Sequence, residues 1–341
     1  MDVRYSPEQR ALQESAAQMV ERLSPQAVRE LDDQERSAKL DAAVAASGWR
    51  ELRAADEDAK PWASAVEVAI VAEELAFGLA DVAFVGPVLA ADLRRLSGAP
   101  AATSPETVAC TADLAEIARS EGAVVSDAVA VDAAGASAAV ALTDDGRAIA
   151  TAAITGPAGG LDLTRPTVAL QGEASTTLPS ELSDDDLARW VALGLAVTSA
   201  DLVGTMRGAI DLARDYASAR KQFGAAIGSF QAVQHLLADA FVAMEGSRSI
   251  ALHAAWAVDA LEPSEALAAS AAAKAYCARA ARDVCETSIQ VHGGIGNTWD
   301  CLAHVYLRRA IVSSDVFGGV GPNLARVLAH RGVSGGTDEL R

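Results

Sequence analysis

The chain has 341 residues, 51% of them apolar but only 4% aromatic, and a formal net charge of −18. That length allows two or three domains around a sizeable core. The acidic balance argues against nucleic acid or an anionic membrane as a partner, since both would repel it. A small anion held in a local basic pocket stays compatible with it.

Alanine dominates the apolar set, which suits close-packed helices better than a sheet-rich core. In chain order, Ser6 is a helix cap, Pro7 suits the first helical position and Gln9 completes a Ser-x-x-Gln box. Leu12, Ala16, Met19, Val20 and Leu23 then share one face of a helix. A second apolar helix is predicted over 65–77, stopping at Gly78, with Glu73 and Glu74 as a solvated face. Residues 1–100 read as a helical domain.

Past Pro100 the character changes. Runs such as GAVVSDAVAVDA and RPTVALQ, broken by Asp144-Asp145-Gly146 and Gly156-Pro157, predict a small β domain over 101–182. About six or seven strands are expected, with weak alternation because alanine stands at the usual polar positions. Ser183 followed by three aspartates opens the next helix, with negative charge at its positive end. That helix is predicted to run to Gln222, others to cover 231–261 and 264–291, and a last one to start near Trp299. Residues 183–341 therefore form a helical bundle. The fold class is α+β, mostly α: an N-terminal helical domain, a shortened middle β domain and a C-terminal four-helix bundle.

Cys110, Cys277, Cys285 and Cys301 show neither metal-knuckle spacing nor a disulfide framework, and no metal site is predicted. Cys277 and Cys285, in an Ala-rich helical run, read as buried small hydrophobes. The opening MDVRYSPEQRALQ lacks a signal-peptide pattern and no 18-residue apolar run is free of charge, so a cytoplasmic protein is expected.

Two stretches carry chemistry. The first is RKQFGAAIGSFQAVQH, 220–235; the second is QVHGGIGNT, 290–298. Arg220 offers a planar, permanent charge suited to a diphosphate. Gln222 and Gln231 can present amides to phosphate or ring edges, and Phe223 can stack on a flat heterocycle. Gly293, Gly294 and Gly296 let backbone approach a phosphate closely. Taken singly, each has a plainer reading: Arg220 as a surface ion-pair partner, Phe223 as core, the glycines as a helix-ending turn.

The helix, strand, helix order and these two motifs together resemble the acyl-CoA dehydrogenase family, with its Arg-x-x-Phe-Gly, its following Phe-Gln and its Gln-x-x-Gly-Gly-x-Gly. LDLTRPTVAL, 161–170, looks like the end of that family's β domain. The resemblance implies FAD lying between two subunits. In the family the β domain and part of the bundle hold it in cis, and the two motifs reach it from the neighbouring chain. That trans half is present here as Arg220, Gln222, Phe223, Gln231, Gln290, Gly293, Gly294 and Gly296. The cis half lacks the family's Thr-Glu-x-x-x-Gly-Ser loop, which has no counterpart between 100 and 180.

The catalytic base that the resemblance implies is absent too. Family chemistry takes a proton from the carbon beside a thioester while hydride leaves the next carbon, so a carboxylate must sit in a dry site. Most members place that glutamate 27 residues after the motif glutamine, which from Gln290 is Phe317. A minority place it 26 residues before the arginine, which from Arg220 is Gly194. Asp315 is the one displaced candidate; His292 reads as a turn residue and His304 as a bundle-surface residue.

Such a chain resembles the shortened, base-less subunit of heterotetrameric actinobacterial dehydrogenases associated with steroid side-chain CoA thioesters. That implies a catalytic sister subunit in an α2β2 assembly, an acyl-CoA substrate and an electron-transfer flavoprotein as oxidant. Two other readings stay open: a degenerate scaffold or binding protein without redox activity, and a self-contained dehydrogenase using Asp315.

Overall fold

Helix α1 (Pro7–Leu23) starts with the predicted capping box: the Ser6 hydroxyl accepts from the Gln9 amide, and the Gln9 side chain accepts from the Ser6 amide. The computed structural model describes residues 4–332. Helix α2 (Gln34–Ala46), α3 (Ala65–Phe77) and α4 (Val85–Ser97) complete the N-terminal helices. Helix α3 is mostly apolar and buried along most of its length, as a core helix must be. Glu73 and Glu74 are therefore not a solvated face. Both are buried, and Arg207 and Arg248 from later helices approach Glu73 Oε1 at 2.7 Å. Glu74 accepts from Arg207 at 3.0 Å and from Gln13 at 2.9 Å. Carboxylates on such a helix persist only when cations reach them.

Eight short strands follow: β1 (Glu106–Thr111), β2 (Ser120–Glu121), β3 (Val124–Val125), β4 (Ala128–Ala130), β5 (Ala138–Leu142), β6 (Ile149–Ala153), β7 (Val168–Leu170) and β8 (Glu173–Thr177). They order as β2-β3-β8-β6-β5-β1-β4-β7, antiparallel except for the β1/β5 pair. The sequence suggests one or two fewer because several are only two or three residues long. Weak alternation has a structural cause, since both faces of the central strands are buried. On β5, Val140 and Leu142 join the helical core, while Ala139 and Ala141 fill a second, alanine-lined core on the other face. A strand buried twice has no polar register to show.

Helix α5 (Asp184–Ala219) opens on the predicted Ser183 cap and runs through the middle of the bundle. It is long and apolar enough to span a membrane by composition, yet most of its apolar stretch is packed inside the protein. It ends at Ala219, three residues earlier than expected, because Lys221–Gln222 (β9) pairs with Ala225–Ala226 (β10) in a hairpin. Helices α6 (Gln231–Ala260) and α7 (Pro263–His292) match the predicted spans closely. Helix α8 (Ala303–Asp315) starts after Trp299, and α9 (Val320–His330) is an additional helix beyond the predicted set.

A buried ionic knot ties the sheet to the bundle. Asp201 on α5 accepts from Arg309 at 2.6 Å, from Arg165 at 3.2 Å and from the Ser313 hydroxyl at 2.6 Å. Arg165 also pairs with Asp162 at 3.0 Å. Burial would raise the Asp201 carboxyl, but the two guanidiniums overcome it and hold it below the ordinary value. The 161–170 stretch thus locks the last strands onto α5 and α8.

Candidate functional site

Both motifs fold at one end of the bundle. Arg220 caps α5 with an extended backbone, its amide donating to the Tyr216 carbonyl at 2.8 Å. Phe223 and Gly224 form the two-residue loop of the hairpin, at φ 52° and 80°. Two consecutive left-handed residues make a type I′ turn, which matches strand twist. Gly224 takes this conformation freely; an aromatic there costs about 1–3 kcal/mol. The turn holds Phe223 out: it is 91% exposed, with its edge on Phe230 at 6.3 Å. Phe223 is not core, and among the described residues the Arg220 guanidinium makes no ion pair or hydrogen bond. Gln222 is exposed on β9, and Gln231 is exposed as the first residue of α6.

The second motif closes α7. Gly293 sits at φ 65° as the helix cap, and its amide donates to Gln290 and Ile289 carbonyls. Nothing lies within 4 Å of where a Cβ of Gly293 or Gly294 would stand, so this backbone is open to a ligand. Gln290 is exposed beside it. Gly296 differs: it is buried, and a Cβ would come within 2.9 Å of the Ile289 carbonyl, so its smallness serves the turn itself. Val291 joins Ala213 and Ala217 in a small core against which Ile227, Val233 and Leu237 pack, so the two motifs share one surface. A free planar cation, an exposed ring and bare backbone suit a flavin nucleotide's diphosphate and flat rings.

His292 is not an exposed turn residue. It ends α7, buried, stacked on Tyr216 at 4.5 Å with 27° between the rings. His304 is not on the bundle surface either: it is buried under Trp299, edge to face at 5.0 Å, and burial pushes its imidazole pKa down.

The two expected base positions meet in space. Phe317 is buried, its ring edge-on to Trp190 at 5.4 Å. A Cβ on Gly194 would fall 2.8–3.0 Å from three carbons of that ring. The aromatic therefore fills the ground over α5 and requires glycine beneath it. Its backbone, at φ 64°, is pinned by its amide donating to Leu114 O at 2.8 Å and by Arg326 donating to its carbonyl at 2.7 Å. Asp315 ends α8 with an exposed side chain whose carboxylate accepts no hydrogen bond among the described residues. Partial burial raises its pKa, but a solvent-reached carboxylate is not the dry base this chemistry requires.

The seam between sheet and bundle runs past Val85, Asp132 and Arg165. Cavities of about 10 and about 30 Å³ lie there, the larger lined by Leu89, Val131, Thr198, Val312 and Val316. A small-molecule pocket needs roughly 300 Å³ or more. Lys274 of α7 is fully buried at this seam, donating to Thr198 Oγ1 at 3.0 Å and to the Ser313 carbonyl. Burial pushes its amine down to about 7, against the pull of Asp201. The unfolded chain then binds more protons than the folded one above pH 7, so stability rises with pH. Over pH 7–8 the gain is about 1 kcal/mol; from about pH 8.5, where thiols of the unfolded chain ionise, the buried Cys110 and Cys277, pushed up to about 12, oppose it. Urea midpoints across this window check it: the slope should flatten in Lys274→Met, and an unchanged slope would contradict it.

N-terminal helices, a small sheet and a long helical bundle in this order make up the acyl-CoA dehydrogenase fold. Residues 193–323 match the acyl-CoA dehydrogenase C-terminal domain. The chain is 41% identical to acyl-CoA dehydrogenase FadE34 of Mycobacterium tuberculosis over 137 residues, 40% of this chain and 19% of that protein. It is 35% identical to acyl-CoA dehydrogenase IpdE2 of the same organism over 154 residues, 45% of this chain and 44% of that one. These matches span less than half the length of either relative. Over 98% of this chain and 100% of the other, the fold superposes on a chain of the ChsE4-ChsE5 complex from Mycobacterium tuberculosis with a TM-score of 0.77 at 24% identity. A chain of the Tcur3481-Tcur3483 steroid ACAD G363A variant gives 0.78 at 21% identity, covering 95% and 98%. Residues 193–323 thus carry an acyl-CoA dehydrogenase C-terminal domain, and the chain as a whole has the acyl-CoA dehydrogenase fold.

Proposed function

We propose that this chain is the base-less, cofactor-completing subunit of a heteromeric FAD-dependent acyl-CoA dehydrogenase, paired as α2β2 with a catalytic sister chain. The complex desaturates an acyl-CoA thioester between its α and β carbons, and a steroid side-chain CoA is the substrate we favour. The carrying observation is a divided site. The nucleotide-facing surface of Arg220, Gln222, Phe223, Gln231, Gln290, Gly293 and Gly294 is open and unsatisfied, while Phe317 and Gly194 close the base position. FAD, when bound, supplies the hydride acceptor, and an electron-transfer flavoprotein reoxidises it. The residues here contribute charge, stacking and backbone amides to a cofactor anchored on the sister, whose carboxylate takes the proton.

Two structural neighbours support the steroid and heteromer parts of this reading, one named as a steroid ACAD and the other as a two-component complex. Arg220→Ala tests the cofactor role. In the complex it should raise FAD loss about tenfold or more, because a charge-assisted diphosphate contact is worth about 1.5–3 kcal/mol. The fold should survive, since the guanidinium makes no hydrogen bond or ion pair among the described residues. Flavin content after gel filtration reads the outcome, and wild-type retention would remove Arg220 from the site.

A further inference from the structure

We propose that Tyr216 and His292 are a positioning pair that sets the spacing between the Arg220 hairpin and the Gly293–Gly294 turn, so that both meet one nucleotide. This rests on reading that surface as flavin-binding. Tyr216 lies in the last turn of α5, and its carbonyl receives the Arg220 amide at 2.8 Å. His292 is the last residue of α7 and precedes Gly293. Their rings stack at 4.5 Å. His292 is 6% exposed although Gln290, Gly293 and Gly294 around it are exposed. Its Nδ1 lies 2.8 Å from the Ser288 carbonyl, which can only accept, so that nitrogen carries a proton and the ring is held in place.

The pair stands where other restraints are missing. Further down, α5 and α7 meet through small residues, with Ser288 donating to the Ala209 carbonyl at 2.8 Å. At the working end, no hydrogen bond or ion pair joins residues 220–226 to residues 290–297 among the described residues. Each loop is anchored to its own helix, and the stack, with the small core of Ala213, Ala217 and Val291 behind it, relates one anchor to the other. Aromatic stacking supplies orientation that alanine packing does not. Two ligand-binding loops a fraction of an ångström out of register lose affinity without losing any contact of their own.

The test uses the complex isolated through a tag on this chain, with FAD release followed by flavin fluorescence after dilution. Tyr216→Leu and His292→Asn should release FAD about three- to tenfold faster. Asparagine keeps a donor for the Ser288 carbonyl and removes only the ring. Tyr216→Phe, which keeps the ring, should behave like wild type, because the Tyr216 hydroxyl makes no hydrogen bond among the described residues. His292→Phe keeps a ring but loses the bond to Ser288, so its release should fall between wild type and His292→Asn. Wild-type release from His292→Asn, or His292→Phe matching His292→Asn, overturns the pair. If Arg220→Ala also leaves release unchanged, the flavin reading of the surface fails instead. A role in folding alone would lower the melting temperature of these variants and leave release untouched, and that result too counts against the proposal.

Discussion

Phe317→Ala is expected to destabilise the chain by about 3–5 kcal/mol, the usual cost of emptying an aromatic site in a close-packed core. The ring is 1% exposed, has Trp190 on one side and lies against the bare backbone of Gly194. Gly194→Ala should cost about 1–3 kcal/mol on its own, because the new methyl meets three ring carbons inside ordinary contact distance. The double variant is the informative one. With the ring gone, the methyl introduced by Gly194→Ala has room, so the combined loss should fall below the sum of the single losses. Denaturant midpoints of the four proteins measure the coupling. Strict additivity would mean that the ring and Gly194 do not meet, and the explanation of the closed base position would fall. No member of the series should gain dehydrogenase activity, since none of them carries a carboxylate there.

Much of this architecture is readable from local chemistry. Ser6 and Ser183 announce their helices through caps, and α6 and α7 keep a helical apolar period to within a residue or two of their true ends. What sequence reading misses is long-range compensation. Glu73 looks solvated because its partners, Arg207 and Arg248, stand 134 and 175 residues away. Asp201 gives no hint of Arg309, 108 residues further on. The strands blur because both faces of β5 are buried, Val140 and Leu142 on one and Ala139 and Ala141 on the other. For the site, the spacing rules place Phe317 and Gly194 on separate segments of the bundle, and only the fold shows that they touch. The mutual stack of Tyr216 and His292 is equally silent in sequence, since a histidine beside two glycines reads as part of a turn. Gly296 shows the converse: a glycine inside the Gly293–Gly296 run that the turn needs for its own packing.

The second large effect concerns the flavin itself. A half-site on an exposed surface offers a few charge-assisted and stacking contacts, without the enclosure that gives cofactors their affinity. Completing it from a second chain adds the missing contacts and excludes water, so flavin occupancy and catalysis should appear together on assembly. The direct measurement is FAD per polypeptide, by flavin absorbance, for the full chain purified alone and for the chain co-purified with its sister. The lone protein should carry far less than one FAD per chain and oxidise no acyl-CoA, whereas the complex should hold one FAD per heterodimer and be active. A stoichiometric flavin on the lone chain, oxidising acyl-CoA without a sister, would contradict this.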